Sequence, residues 1–358
     1  MSDPDFWRGK RVMVTGHTGF KGGWLTFSLD AMGAHVTGLA LAPSTTPNLF
    51  TSARVDAACD SRIVDLRDAR AVFECVQSAR PEVVFHLAAQ PLVRASYERA
   101  ADTWMTNVMG TVFLLEALRK TPSVRAVVVV TSDKCYEQSG SARAFREDDA
   151  LGGHDPYSSS KAAAEIATAS WRRSFLAEVG VGVATARAGN VIGGGDWAAD
   201  RLVPDLVRAT VAGTSVAIRY PRSTRPWQHV LDPLDGYLHL ARKLFDDPIA
   251  YSGAWNFGPD ANDVWTVTDV AQRFTDALGR GRHWHSAEDM SQHEAASLAL
   301  DSSQARERLG WSPSRSIDDA IRLTAEVYRR ALDGLPLHDL IVGQITGSTS
   351  TLPMELAS

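Results

Sequence analysis

Five side chains able to do chemistry fall within one stretch of thirty residues. They are Ser132, Asp133, Lys134, Tyr157 and Lys161. Tyr157 and Lys161 are four residues apart, so on a helix they share one face. A nearby ammonium, together with a positively charged cofactor ring, lowers the pKa of a phenol from its usual value of about 10. The predicted chemistry is removal of a hydroxyl proton by Tyr157 while hydride leaves the same carbon, with Ser132 holding that hydroxyl.

Asp133 adds a second kind of chemistry to this set. A carboxylic acid beside a hydride-transfer site can protonate a leaving hydroxyl and expel it as water. That role requires a raised pKa for Asp133, whereas the ammonium of Lys134 pulls this pKa down. Lys134 must be neutral or point elsewhere if it is to act as a base. The same residues also fit an exposed helical face and a solvated ion pair at a strand end.

The elements that would position these side chains alternate between strands and helices. Strands are predicted at residues 11–15, 35–41, 62–65, 82–87, 125–131 and 181–187, and helices at 21–32, 70–79, 102–120 and from 157 onward. Apolar runs without alternation indicate strands that are covered on both faces. We therefore predict an α/β protein with a Rossmann-like, doubly wound parallel sheet.

The regular alternation weakens beyond residue 188, where glycines and prolines divide the chain into shorter pieces. We predict a dinucleotide-binding Rossmann domain of residues 1–187 plus about 230–257. A second, smaller mixed α/β domain of about 188–229 plus 258–335 would bind the substrate. Residues 343–358 are rich in Ser, Thr and Gly and are predicted to form a loose tail.

A glycine-rich loop follows the first strand and opens the first long helix, with the spacing Gly-x-x-Gly-x-x-Gly. Its predicted cofactor-binding residues are Gly16, His17, Thr18, Gly19, Phe20 and Gly22. Glycines in this position let the backbone approach a pyrophosphate at the helix N-terminus. Glycines also serve ordinary turns, but the strand-loop-helix context favours a phosphate cradle.

The remaining cofactor signals follow later strands. The second strand ends without the acidic residue that usually binds the adenosine ribose, and no arginine follows at once, so NAD is favoured over NADP. Asp65, with Leu66, is predicted to receive the adenine amino group, or alternatively to cap the next helix. The small residues of the stretch Leu87, Ala88 and Ala89 allow close packing against a cofactor.

Composition excludes several other classes of function. The 358 residues carry a net charge of -5, which gives no basic footprint for nucleic acid. No apolar run approaches the roughly 20 residues of a membrane helix. The three cysteines are odd in number and lack metal spacing, and neither they nor the histidines predict a metal site. Reduced thiols indicate the cytoplasm.

Taken together, these motifs resemble the extended short-chain dehydrogenase/reductases, over roughly residues 8–330. Within that family, the nucleotide-sugar 4,6-dehydratases have an Asp after the hydroxyl residue, as here, and normally a Glu after the Asp. Lys134 stands in place of that Glu, a departure typical of the branch that acts on CDP-glucose. Residues 6–10, 20–22, 43–47 and 131–136 also resemble that branch.

The resemblance implies a closed redox cycle with NAD. Oxidation at C4 acidifies the C5 proton, Asp133 assists loss of the C6 hydroxyl, and hydride returns to C6 to give a 4-keto-6-deoxy sugar. Several residues, most of them in the second half of the chain, would hold the nucleotide sugar through fork-shaped or polar donors. They are Arg94, Arg187, Asn190, Arg201, Arg219, Arg225 and His229. The family also implies a homodimer or homotetramer, with a two-helix face formed by residues 102–120 and the helix from 157.

Two other functions compete with this interpretation. A sugar epimerase or reductase on the same scaffold would use Tyr157 and Lys161 but needs no acid for C6, so Asp133 favours the dehydratase. A non-catalytic dinucleotide sensor or scaffold need not keep Ser132, Tyr157 and Lys161 at all.

Overall fold

The structure is a computed structural model that describes residues 3–138, 143–260, 265–287 and 298–348. Its strands are β1 (Arg11–Thr15), β2 (His35–Ala40), β3 (Asp60–Ile63), β4 (Val83–His86), β5 (Ala126–Val130), β6 (Gly182–Ala188), β7 (Val191–Ile192), β8 (Val216–Ile218), β9 (Thr224–Arg225), β10 (Gln228–His229), β11 (Gly253–Phe257), β12 (Trp265–Thr266) and β13 (Trp284–Ser286).

The α-helices lie between and after these strands. They are α1 (Pro4–Trp7), α2 (Phe20–Ala31), α3 (Leu49–Ser52), α4 (Ala69–Ala79), α5 (Val93–Glu98), α6 (Ala100–Trp104), α7 (Gly110–Leu118), α8 (Pro156–Trp171), α9 (Leu202–Ala212), α10 (Leu231–Asp246), α11 (Pro248–Tyr251), α12 (Val267–Leu278), α13 (Ile317–Leu332) and α14 (Leu337–Thr346). Three π-helical segments occur at Met105–Met109, Arg172–Leu176 and Ala305–Leu309. Among the described residues, no helix is long and apolar enough to cross a membrane.

Within the described residues, seven strands form one parallel sheet in the order β3-β2-β1-β4-β5-β6-β11. The order reverses at β1, so β1 and β4 flank the switch point where doubly wound sheets bind their ligands. The predicted doubly wound parallel sheet is therefore confirmed. The six predicted strands are present with small shifts at their ends.

The sheet is buried on both faces because its strands alternate between two cores. On one face, Val12, Val83 and Val128 pack with α2 and α10. On the other face, Met13 and Val127 pack with α4 and α7. This two-sided burial explains why the strands read as continuous apolar runs in the sequence.

The smaller strands belong to a second region around a separate core. That core is formed mainly by α9, α12 and α13 with residues of β7, β8 and β13, and it includes Leu206, Phe274 and Tyr328. Between the pieces of this region, α10 packs against β5 and β6, and β11 then joins the sheet beside β6. The division into two domains at the predicted boundaries stays a prediction.

Two details differ from the sequence predictions. The helix predicted over 102–120 starts at Ala100, contains the π-helical segment and ends at Leu118. The tail predicted from residue 343 begins later, because α14 continues to Thr346 and buries Ile345 where it packs against α2. The rest of that predicted tail, residues 349–358, lies outside the described residues.

A buried ion pair fixes α8 against the sheet. Arg187 at the end of β6 donates to both carboxylate oxygens of Glu165 on α8, at 3.0 and 2.9 Å. Both side chains are less than 5% exposed. The hydroxyls of Thr131, beyond β5, and Thr185, on β6, also donate to Glu165. Arg187 further donates to the phenol of Tyr136, 2.7 Å away.

We expect Arg187→Met to lower the free energy of unfolding by about 3–5 kcal/mol, because it leaves the carboxylate of Glu165 buried without its cation. Urea unfolding followed by tryptophan fluorescence measures this loss. The exposed pair Arg273–Asp318 provides the control, since Asp318→Asn there should cost under about 1 kcal/mol. A loss in Arg187→Met no larger than that of the control would contradict the account.

Candidate active site

A cleft of about 390 Å³ opens beyond the carboxyl ends of the sheet strands, between the sheet and the second region. It brings together many of the predicted site residues, which are Ser132, Asp133, Lys134, Tyr157, Arg94, Asn190, Arg201, Arg219 and Arg225. These residues come from loops, helices and strands that are up to 131 positions apart in the chain, counted from Arg94 to Arg225. The fold thus forms one site from residues that the sequence analysis had to consider separately.

The turn after β5 aims the acid into this cleft. Ser132 begins a short 3₁₀ turn over Asp133–Cys135, and its hydroxyl oxygen accepts from the backbone N–H of Lys134 at 3.2 Å. The same hydroxyl donates to Oδ1 of Asp133 at 3.0 Å. Ser132 therefore orients the carboxyl group beside it.

The carboxyl group of Asp133 is only 4% exposed. Burial raises the pKa of Asp133, although the charges of Lys134, Arg225 and Lys21 and the hydrogen bond from Ser132 act in the opposite direction. The net direction is the one expected of a proton donor. The opposing effect of Lys134 agrees with the electrostatic argument from sequence.

The N-terminus of α8 places the phenol on the other side of Ser132. Asp155 caps this helix by accepting from the backbone N–H groups of Tyr157 and Ser158, each at 3.0 Å, and Pro156 occupies the first turn. Tyr157 consequently lies in the first helical turn. Its side chain is buried, and the nearby hydroxyl of Ser132 acts to lower its pKa.

In the protein without a cofactor, the pKa of Tyr157 lies above that of a free phenol. Burial raises the pKa of Tyr157 to about 12, and the lowering effects of Ser132 and Arg201 do not offset it. The lowering by an ammonium together with a charged cofactor ring stays a prediction. Lys161 donates to the carbonyl oxygen of Val130, at 3.3 Å. Burial also lowers the pKa of Lys161 to about 8, against the raising effect of Glu165 one turn further along α8.

The glycine loop has the close approaches that a phosphate cradle requires. Gly16 has a φ of +82°, and a Cβ there would lie 2.8 Å from the backbone nitrogen of Ala88. A Cβ on Gly22 would lie 2.0 Å from the carbonyl oxygen of Gly16. Gly19 is the N-cap residue of α2, so the loop leads directly into the helix N-terminus. This geometry fits a dinucleotide pyrophosphate.

Other residues of the loop hold its shape. Thr18 donates to the carbonyl oxygen of Leu41 at 2.9 Å, which ties the loop to the end of β2. His17 is fully buried, its Nε2 lies 2.7 Å from the hydroxyl of Ser61, and burial lowers its pKa to about 4. Phe20 is buried within the core. Through these buried contacts, the side chains of His17 and Phe20 support the conformation of the loop.

The predicted adenine end is organised around an ion pair. Asp65 accepts from the backbone N–H of Arg67 at 2.9 Å and from its guanidinium group at 2.7 Å. The alternative role of Asp65 as a helix cap is wrong, because Asp68 caps α4. The side chain of Leu66 is buried in the core. Asp65 is nevertheless partly exposed at the end of the strand.

The segment after β4 is held against the end of β1. The hydroxyl oxygen of Thr15 accepts from the backbone N–H groups of Leu87 and Ala88, each at 3.1 Å, and lies 2.7 Å from Nδ1 of His86. The predicted stretch from Leu87 to Ala89 therefore borders the glycine loop. This position agrees with its expected closeness to a bound cofactor.

Two predicted substrate residues lie elsewhere. Arg187 does not line the cleft, since its guanidinium group is engaged by Glu165 and Tyr136 in the core. His229 is fully buried behind the cleft, where its ring packs edge-on against Trp24 at 5.8 Å and burial lowers its pKa to about 3. These contacts are structural, so neither residue is retained as a substrate contact.

Lys21, Asp196 and Asp200 also line the cleft, although the sequence analysis gave them no role. Lys21 follows the glycine loop, and burial lowers its pKa to about 8 while Arg201 acts in the same direction. Asp196 and Asp200 lie in the loop before α9 and pair with arginines of the cleft. Lys21 lies within the glycine motif, so the sequence could have suggested a role for it. For Asp196 and Asp200, the only indication in the sequence is their position after a run of glycines.

The arrangement can take a proton from one hydroxyl through Tyr157 and deliver a proton to another through Asp133, with Ser132 between them. The arginines of the opposite wall offer positive charge for an anionic ligand. Among the residues that the structure describes, no cluster of His, Cys, Asp and Glu side chains is suited to hold a metal ion.

Comparison with known proteins places this site in a family. A family model described as GDP-mannose 4,6 dehydratase matches residues 13–324. The CDP-glucose 4,6-dehydratase of Salmonella typhimurium is 46% identical over 326 residues, which cover 90% of this chain and 91% of that relative. The dTDP-glucose 4,6-dehydratase of Xanthomonas campestris is 26% identical over 335 residues, covering 88% of this chain and 92% of that protein.

A solved structure agrees with these relatives. The chain of MoeE5 in complex with UDP-glucuronic acid and NAD superposes with a TM-score of 0.76 and 25% sequence identity, covering 90% of this chain and all of that one. The chain belongs to the GDP-mannose 4,6-dehydratase family of the extended short-chain dehydrogenase/reductases.

Proposed function

We propose that this protein converts CDP-glucose to CDP-4-keto-6-deoxyglucose and water, with NAD as its cofactor. The buried carboxyl group of Asp133, hydrogen-bonded to Ser132 and in the same cleft as Tyr157, is the observation that carries the proposal. Hydride transfer at C4 alone needs no second acid. The 46% identity to the CDP-glucose 4,6-dehydratase of Salmonella typhimurium supports the choice of nucleotide sugar.

NAD would be held by the loop from Gly16 to Gly22, with Ala88 beside it and Asp65 at the adenine end. A Cβ at Gly16 or Gly22 would clash with the neighbouring backbone, so only glycine allows the close turn of this loop, which supports this placement. Bound NAD would supply the hydride acceptor for C4 and the hydride donor for C6. Lys161, on the same helix face as Tyr157, would bind the nicotinamide ribose. Preference for NAD over NADP rests on the sequence after β2.

Tyr157 would take the proton from the 4-hydroxyl, which Ser132 also holds. Because burial raises the pKa of Tyr157 to about 12, this role depends on the positive charge that the cofactor brings beside the phenol. Asp133 would give its proton to the C6 hydroxyl as water leaves. Lys134, next to it in the cleft, is proposed to take the C5 proton.

The opposite wall of the cleft would bind the diphosphate. The proposed contacts are Arg94, Asn190, Arg201, Arg219 and Arg225. Arg225 is buried and its charge reaches Asp133, so it lies at the sugar end of the cleft. Arg94 and Arg219 both approach the carboxylate of Asp200.

An epimerase or reductase is the alternative function on this fold. It would use Ser132, Tyr157 and Lys161 in the same way. Asp133 favours the dehydratase, because a buried carboxyl with a raised pKa has no task in either alternative reaction. We also propose a cytoplasmic location, since the three cysteines carry free thiols.

We further propose a homodimer, or a tetramer built from such dimers, that pairs through α6, α7 and α8. This face exposes large apolar side chains on helices that would otherwise meet solvent. They include Trp104 at 42%, Met105 at 44%, Met109 at 37% and Ile166 at 61% exposure. An exposed apolar patch of this kind marks an interaction surface, and a twofold axis would bring the same patch together twice.

Incubation with CDP-glucose should yield a 4-keto-6-deoxy product without net formation of NADH, because the hydride taken from C4 returns to C6. Mass spectrometry of the product and absorbance at the NADH wavelength measure the two quantities. Turnover of dTDP- or GDP-glucose in place of CDP-glucose would reject the substrate assignment. Formation of a C4 epimer would support the alternative function instead.

Asp133→Asn should slow elimination of water about 100- to 10,000-fold, because an amide cannot protonate the leaving hydroxyl. Oxidation at C4 should persist and appear as transient NADH in stopped-flow measurements. Tyr157→Phe provides the contrasting variant, in which C4 oxidation itself is lost. Equal loss of oxidation and elimination in Asp133→Asn would argue against its role as the acid.

The double variant Trp104→Lys/Ile166→Lys should dissociate the assembly, because it places charges in the apolar face. Sedimentation velocity should show the wild type at twice the chain mass or more and the variant at the mass of one chain. Ile249→Lys is the control, since Ile249 is 92% exposed on α11, away from this face. A wild type that sediments as a monomer would refute the proposed dimer.

A further inference from the structure

The loop between β7 and α9 carries two acids that face arginines of the cleft. Asp196 accepts from Arg201 at 2.9 Å, and its own backbone carbonyl accepts from the phenol of Tyr328 at 2.6 Å. Asp200, four residues on, has a φ of +60°. That left-handed conformation is uncommon outside glycine, although Asp and Asn adopt it more readily than other residues. The loop therefore holds Asp200 at a defined place on the cleft wall.

Asp200 approaches two arginines that come from different segments of the chain. Its Oδ1 is 3.4 and 3.5 Å from the two terminal nitrogens of Arg219, which follows β8. The same oxygen is 3.7 Å from a terminal nitrogen of Arg94 on α5. All three side chains are 28–39% exposed and line the cleft. One carboxylate oxygen thus occupies the point where both guanidinium groups converge.

We propose that Asp200 is an internal competitor for the diphosphate: its carboxylate holds Arg94 and Arg219 until a ligand with two phosphates displaces it. This inference rests on the proposed function, in which these two arginines bind the nucleotide diphosphate. The nearby acid Asp205 does not share the role, because it is paired with Arg208. Asp200 is a positioning residue and takes no part in the chemistry.

The consequence is selection by charge. When a binding-competent state is only partly populated, the apparent affinity falls by the populated fraction. A diphosphate carries more negative charge than one carboxylate and offers both arginines an acceptor, so it can replace Asp200. A free sugar or a sugar monophosphate brings less negative charge and fewer acceptor oxygens to the two arginines. Asp200 would therefore lower the apparent affinity of the cleft for ligands that lack a diphosphate.

Asp200→Asn removes the charge and keeps a side chain that tolerates the same backbone conformation. Isothermal titration with CDP, UDP and inorganic pyrophosphate should show dissociation constants that fall about two- to tenfold, as expected for two partly exposed ion pairs. The gain should shrink in high salt, where such pairs are screened. Asp200→Gly, which also accepts a positive φ, repeats the test without any polar side chain.

Two controls separate competition from a general change of charge. Asp318→Asn removes an acid from an exposed ion pair outside the cleft and should leave the dissociation constants unchanged. In the Arg94→Gln/Arg219→Gln background, Asp200→Asn should give no gain, because there are no guanidinium groups to release. A gain that survives in this background would overturn the proposal.

Weaker or unchanged binding in Asp200→Asn would also overturn it, since Asp200 would then organise the arginines or contact the ligand directly. The test of Asp200 does not depend on which nucleotide base the ligand carries. If the wild type prefers UDP to CDP, the substrate assignment fails, while a gain with UDP and pyrophosphate still supports the role of Asp200. Preference for CDP with no gain in the variant supports the substrate and rejects the competitor.

Discussion

The buried ion pair between Arg187 and Glu165 is the interaction on which the active site depends. It joins the end of β6 to the middle of α8, and Thr131 at the end of β5 completes the set of donors to the carboxylate. Lys161 lies one helical turn before Glu165, and Tyr157 one turn before that. Fixing α8 at Glu165 therefore fixes the phenol and the amine relative to the turn that carries Ser132 and Asp133.

Burial is the second constraint, and it acts on four ionisable groups at or near the cleft. It raises the pKa values of Asp133 and Tyr157 and lowers those of Lys161 and Lys21. Each shift favours the uncharged form of its group. A proton donor gains from this effect, whereas a phenol that must act as a base requires a compensating positive charge. The protein alone therefore suits Asp133 as a proton donor. Tyr157 can act as a base only when the cofactor is bound.

The sequence was sufficient for the sheet, because strands buried on both faces leave continuous apolar runs such as residues 126–130. It was also sufficient for the residues at the ends of β1 and β5, where motif spacing carries the information. It failed for Arg187, although a charged residue at the end of the fully buried strand β6 is itself a signal of a buried partner.

The cleft acids show a different limit of the sequence. The contact between Asp200 and Arg94 joins segments that are more than 100 residues apart, and nothing local in the sequence predicts which arginine meets which acid. The start of the predicted tail, at residue 343, was placed too early, because composition outweighed the apolar spacing of Leu340, Ile341 and Ile345, which α14 uses to pack against the body of the protein.

The central claim is that one site oxidises C4, expels the C6 hydroxyl and returns the same hydride to C6. CDP-glucose that carries deuterium at C4 tests it directly, with the product analysed by NMR and mass spectrometry. The account predicts that the deuterium appears at C6 of a 4-keto-6-deoxy product. Deuterium that stays at C4, or that is lost from the sugar, would contradict it.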